Sequence, residues 1–156
     1  MQPLTIDRAA LDAMLAHARE THPEECCGAL VRRAGRIDVW RLQNVQNELH
    51  RRDPVANPRT AVTAYALGRE DLERVDAACG GDPAVGDLAA IYHSHTKVGA
   101  YFSGEDRARA MFVDEPLYPD IAWVVVSDSR EPGEARAFRW DEARRDFVEV
   151  PLEVAG

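Results

Sequence analysis

Lysine is almost missing from this chain: Lys97 is the only one, so the rest of the 19 basic residues are arginines. Cysteine is also scarce, with two adjacent residues, Cys26 and Cys27, and a distant Cys79. Neighbouring residues rarely reach disulfide geometry, so this set makes a poor covalent framework, and a reducing cytoplasm is the expected compartment. Cys26 and Cys27 admit two readings, a reactive or metal-binding pair or the apolar start of a strand, and the second is adopted. No apolar run approaches the roughly 20 residues that a membrane-spanning helix needs, and Met1 to Ile6 has no basic flank leading into an apolar segment. Neither a membrane span nor export is expected. A basic surplus is lacking too: Lys+Arg 19 against Asp+Glu 27 gives a formal net charge of -8. Such a field repels phosphate backbones and anionic lipid surfaces, so neither nucleic acid nor membrane is an expected partner. Internal repeats and low-complexity segments are absent.

What is present suits one globular domain over residues 1–156, since 46% hydrophobic and 29% charged residues are enough for a single sizeable core. A helix is expected from about Asp7 to Thr21, with Leu11, Met14, Leu15 and Ala18 on one face, Ile6 as a staple and Pro23 as a stop. Cys27 to Arg33 and Arg36 to Leu42, joined at Ala34-Gly35, read as a β-hairpin. Gln43 to Arg59 is polar and aperiodic, hence a loop, and Thr60 to Ala66 is expected to return as a strand. Arg69 to Cys79 reads as a second helix closed by Gly80-Gly81. Leu88 to Tyr92 is a buried strand running into His93-Ser94-His95, and a third helix starts near Ser103. Ile121 to Ser127, Arg136 to Trp140 and Phe147 to Leu152 complete the strands. The sum is α+β, with helices on a mostly antiparallel or mixed sheet.

The chemistry begins where the strand through Tyr92 ends. In an extended strand, side chains at i and i+2 point to one side, so His93 and His95 aim together while Ser94 faces the scaffold. Neutral imidazole suits zinc, and a catalytic zinc commonly takes three protein ligands and leaves a fourth position to water. Asp106, in the first turn of the next helix, is the candidate third ligand. Each half also has a plainer reading. Histidines near strand ends are often only hydrogen-bonded, and Ser103-Gly104-Glu105-Asp106 resembles a capping box. Glu25, beside Glu24, reads on its own as an exposed acid. His17, His22 and His50 are assigned surface or turn roles rather than ligation.

Taken together, His93-Ser94-His95, seven intervening residues, Ser103, two more and Asp106 resemble the HxHx7SxxD signature of the JAMM/MPN-plus metallopeptidases. Upstream, His22-Pro23-Glu24-Glu25-Cys26-Cys27-Gly28 is similar to the HPxExCG segment that opens short bacterial and archaeal members. The resemblance implies the family's fold: a mixed, mostly antiparallel curved sheet flanked by about three helices. It further implies one Zn2+ per chain on His93, His95 and Asp106, with Glu25 moving the proton and Ser103 stabilising the oxyanion. The implied substrate is the amide or isopeptide bond after the C-terminal glycine of a ubiquitin-like sulfur-carrier protein of the ThiS/MoaD type, or a conjugate of one. Thr96 and Tyr101 stand where eukaryotic deubiquitinases usually have proline and tryptophan. Too few residues separate Asp106 from Ile121 for the long insertion with which those enzymes grip a ubiquitin chain. The rival reading is a non-catalytic MPN scaffold that binds partners. A zinc deaminase would need HxE and PCxxC signatures, which the chain lacks. Oligomeric state has no handle in the sequence.

Overall fold

The computed structural model describes residues 1–156. Strand β1 (Leu4–Asp7) leads directly into helix α1 (Arg8–Thr21), whose first turn is capped by Asp7 accepting from the Ala10 N–H at 2.8 Å. A capped turn followed by a stripe of Ala10, Met14, Leu15, His17 and Ala18 buries one helix face. Hairpin β2 (Cys27–Arg33) and β3 (Arg36–Leu42) follows as expected, its turn at Ala34 and Gly35 using positive φ.

The stretch expected to be a loop holds a short helix, α2 (Gln46–Arg52). It lacks an apolar stripe, and is held instead by Arg52 pairing with Glu48 at 2.7 Å and by the buried Gln46 side chain donating to the Arg59 carbonyl at 3.0 Å. The strand expected over Thr60–Ala66 does not form. Side chains take up part of its ladder: Asn44 Nδ2 donates to the Ala64 carbonyl and Asn44 Oδ1 accepts from the Ala66 N–H, both at 3.1 Å, and Asn47 Oδ1 accepts from the Ala61 N–H at 2.8 Å. Only Leu67 makes a lone bridge, to Asn44. With α3 (Arg69–Cys79) and α4 (Gly104–Arg109), the helices number four where about three were expected.

One six-stranded sheet, in the order β3-β2-β4-β7-β8-β9, organises the rest; its later strands are β4 (Asp87–His95), β7 (Ala122–Ser127), β8 (Glu134–Asp141) and β9 (Asp146–Val150). Every neighbouring pair is antiparallel except β4 with β7. Two small additions were not anticipated: β5 (Met111–Phe112) pairs with β6 (Glu115–Pro116), and β10 (Leu152–Ala155) pairs in parallel with β1, tying the two ends of the chain together. No helix is long and apolar enough to cross a membrane.

Strands β4 and β7 are covered on both faces, which explains their unbroken apolar sequences. Ala90, Tyr92, Val124 and Val126 pack under α1 with Leu30 and Met14. Ile91 and Trp123 face the α3 side with Val75, Trp140 and Phe147. The strand period of two then carries His93 and His95 onto the α3 face, at the end of β4 where hydrophobic cover gives out.

Candidate metal centre and cleft

Helix α4 sets the geometry of the site. Ser103 caps it by accepting from the Asp106 N–H at 3.0 Å, and the Asp106 carboxylate returns to the Ser103 N–H at 2.9 Å, a complete capping box. The ligand and capping-box readings of Asp106 do not compete, because its carboxylate also reaches both histidines. Its Oδ1 lies 2.9 Å from His93 Nε2 and its Oδ2 3.1 Å from His95 Nε2. One ligand atom from each of the three residues falls within 4.8 Å of the others, and all three side chains are buried.

These contacts are poorly explained as hydrogen bonds alone. Both ring nitrogens of His93 lack an aligned partner, although the ring is fully buried and stacked on Tyr65 at 4.5 Å. His95 Nδ1 lies 2.8 Å from the Gly99 carbonyl; a carbonyl only accepts, so Nδ1 carries the proton and a neutral ring presents a lone pair at Nε2 to the carboxylate. Either an imidazolium or a cation shared by both groups reconciles that pair. Burial alone would raise the Asp106 carboxyl, but the two histidines outweigh it and hold the carboxyl well below the usual range. Burial likewise opposes a proton on His95, but Asp106 and the Gly99 carbonyl outweigh it and raise the ring's pKa. Two imidazoles and one carboxylate around a shared point fit a metal ion that leaves one position open.

The loop after β4 is fastened so that His95 keeps this orientation. The Gly99–Ala100 peptide accepts from His95 on its carbonyl side and donates from its N–H to Glu134 Oε1 at 2.7 Å. A side chain at Gly99 would place its Cβ 2.7 Å from the same carboxylate oxygen, so Glu134 would have to shift away from its hydrogen bond. Ser127 Oγ adds a hydrogen bond to the Val98 carbonyl at 2.6 Å. No local pattern in the sequence points to Glu134.

Glu25 comes from the segment between α1 and β2, and it is buried rather than the exposed acid its neighbours suggest. Its N–H donates to the Ala61 carbonyl at 2.7 Å, its own carbonyl accepts from Asn44 Nδ2 at 2.9 Å, and its Oε1 has no partner. Desolvation, with Asp106 adding to it and His95 and Arg59 opposing, raises the carboxyl to about 8. Glu25, His95 and Ser103 line one cleft of about 400 Å³ together with Arg59, Thr63 and Lys97. Thus the five side chains singled out in the sequence occupy one site.

The remaining candidates lie elsewhere. Ser94 faces the scaffold and accepts from the Cys26 N–H at 2.7 Å. Burial pushes the Cys26 thiol up to about 11 and raises Cys27 as well, as befits packed rather than reactive cysteines. His17, expected at the surface, is buried, with its Nδ1 2.7 Å from the Tyr92 hydroxyl; its place in the apolar stripe of α1 was the available signal. His22 meets Asp128 at 3.2 Å, and His50 Nδ1 lies 2.7 Å from the Asn57 carbonyl.

Known proteins agree with this architecture. CysO-cysteine peptidases of Mycobacterium tuberculosis and Mycobacterium bovis are 33% identical over 138 residues, covering 87% of this chain and 82% of theirs. A solved structure from Desulfitobacterium hafniense superposes with a TM-score of 0.67 at 19% identity, covering 97% of this chain and 92% of that one. The JAB1/MPN domain protein AF2198 of Archaeoglobus fulgidus gives 0.55 at 16% identity, covering 99% and 100%. Residues 7–141 match the family described as prokaryotic homologs of the JAB domain, and the chain belongs to that family.

Proposed function

We propose that the chain is a zinc-dependent peptidase that hydrolyses the amide or isopeptide bond after the C-terminal glycine of a ubiquitin-like sulfur-carrier protein of the ThiS/MoaD type. The observation that carries this reading is the convergence of His93, His95 and Asp106 within 4.8 Å, beside a cleft that also holds Glu25 and Ser103. The carrier is suggested by likeness to peptidases named for a CysO–cysteine substrate. Two neutral imidazoles and a carboxylate favour zinc over harder cations, which prefer all-oxygen sets. When bound, zinc would supply Lewis-acid polarisation of water and of the carbonyl.

The protein's own groups then handle protons and charge. Glu25 has an unpartnered oxygen in the cleft; a cation held beside it would favour its carboxylate form, which takes a proton from the attacking water. As the water oxygen bonds to the carbonyl carbon and the C–N bond breaks, that proton passes to the departing nitrogen. Ser103 Oγ accepts from the Asp106 N–H, so its own hydroxyl proton is free to donate to the oxygen that gains negative charge. A donor of this kind is worth about a hundredfold to a thousandfold in rate. Asn44, Ala61 and Ser94 fix the backbone on either side of Glu25 and keep its carboxylate aimed into the cleft.

The test incubates the purified chain with a ThiS-type carrier fused at its terminal glycine, with release followed by mass spectrometry and metal content measured alongside. Chelator-sensitive release is expected, and Glu25→Gln should lower it by about a hundredfold to ten-thousandfold while retaining zinc. Release that survives both chelation and the Glu25 substitution would end this reading, and a chain that binds zinc but cleaves nothing would favour the scaffold.

A further inference from the structure

Hydrolysis as described leaves the two cations of the cleft without a task. Lys97, the only lysine of the chain, lies two residues after His95, is exposed, and enters neither an ion pair nor a side-chain hydrogen bond. Arg59 reaches the same cleft from the segment after α2. Its Nη1 donates to the Thr63 carbonyl at 3.3 Å, while its Nε is 3.7 Å from Glu105. That pairing is long, and Glu105 is shared with Arg109 at 3.6 Å, so Arg59 is incompletely neutralised. The other carboxylate lining the cleft, Glu25, is turned toward the proton chemistry. In a chain with a net charge of -8, two cations beside the hydrolytic groups mark the place where a substrate anion gains most.

Leaving groups differ in where they carry charge. An amino acid joined through its α-amine places its carboxylate carbon only about 2.5 Å from the scissile nitrogen, because one Cα lies between them. A lysine side chain in an isopeptide bond has only methylenes there, and a peptide extension has a neutral amide.

We propose that Arg59 and Lys97 form a subsite for the α-carboxylate of a single amino acid on the leaving side of the scissile bond. Such a subsite would favour a carrier bearing one free amino acid, as in the CysO–cysteine substrate for which the mycobacterial relatives are named, over a carrier joined to a protein lysine. The inference rests on the hydrolytic reading above and adds the leaving group to it. Arginine supplies a planar fork that matches a carboxylate, and lysine supplies a mobile point charge that needs no fixed approach. The segment expected to be a featureless loop thereby gains a role: folded as α2 and the turns after it, it delivers Arg59 to the cleft.

The test uses the zinc-loaded full chain and three fusions of one ThiS-type carrier through its terminal glycine: to cysteine, to cysteinamide, and to the ε-amine of a lysine within a peptide. The ratio of kcat/KM for cysteine over cysteinamide is the readout. Because it is internal to each variant, partial misfolding cancels. Wild type is expected to favour the free carboxylate by about tenfold or more, Arg59→Gln and Lys97→Gln each to shrink that ratio, and the double variant to bring it near unity. Equal cleavage of cysteine and cysteinamide by wild type, or a ratio that survives in the double variant, overturns the subsite alone. No release from any fusion overturns the hydrolytic reading and the subsite with it.

Discussion

Replacing Glu25 by glutamine should stabilise the metal-free protein in alkali and leave it nearly unchanged in acid. Glu25 is 6% exposed, and burial raises its carboxyl from an ordinary 4.5 to about 8. A rise of that size means that folding favours the protonated form by up to about 5 kcal/mol. The folded chain holds this proton more tightly than the unfolded chain, so the contribution is complete below 4.5 and is lost as pH climbs through about 8. Glutamine has nearly the same shape and does not titrate. Small proteins are stable by only about 5–15 kcal/mol, so a loss of even half the full amount is easily measured.

Urea unfolding of chelator-treated wild type and Glu25→Gln would be followed at about pH 5 and about pH 8.5, either side of the titration. The expected result is agreement within about 1 kcal/mol at the lower pH and an advantage of about 2–5 kcal/mol for glutamine at the higher. Zinc should narrow the gap, because a nearby cation favours the carboxylate. A difference that does not change with pH, or a wild type that is the more stable in alkali, would refute the claim that Glu25 is a desolvated base held against its own solvation.

Glu134→Gln keeps an acceptor for the Ala100 N–H but removes the charge behind the Gly99–Ala100 peptide; zinc affinity, measured against a chromophoric chelator, should fall by about tenfold, and an unchanged affinity would show that the loop orients His95 without it. Gly28→Ala would press its Cβ into the Tyr92 ring and the Trp40 carbonyl, and should cost about 3 kcal/mol or more in denaturant unfolding; a milder loss would mean the hairpin can shift away from β4. Ser94→Ala leaves the buried Cys26 N–H without its acceptor and should cost about 1–3 kcal/mol by the same assay, whereas a neutral result would point to a water taking over the bond.

The parts of the molecule that could be read from sequence are those where one residue's neighbours along the chain decide its environment. The stripe of α1, the apolar runs of β4 and β7 and the alternation that pairs His93 with His95 are all local periods. Where hydrogen bonds come from distant segments, the period is silent. Gln46 and Asn44 are polar residues that hold the 44–66 region together by bonding Arg59, Ala64 and Ala66, so α2 shows no apolar face and the expected strand at Thr60–Ala66 loses part of its ladder to side chains. Strands β1 and β10 join opposite ends of the chain, a pairing that a short window cannot contain.

Glu25 is the instructive case, because nothing beside it indicates burial, and yet the sheet leaves it little choice of position. Antiparallel pairing sets Cys27 opposite His93, and the next pair back is closed by two hydrogen bonds, from the Cys26 N–H to Ser94 Oγ at 2.7 Å and from the Ser94 N–H to the Cys26 carbonyl at 3.1 Å. Carried one residue further, that register would set Glu25 beside His95, and both side chains line the cleft. Glu25 lies two positions before Cys27 and His95 two positions after His93, so the acid, just ahead of β2, and the second histidine, the last residue of β4, stand at the same end of this strand pair. A slip of one residue would carry Glu25 to the opposite face of the sheet. The serine between the histidines is therefore the residue that ties the Glu25 segment to the strand carrying His93 and His95.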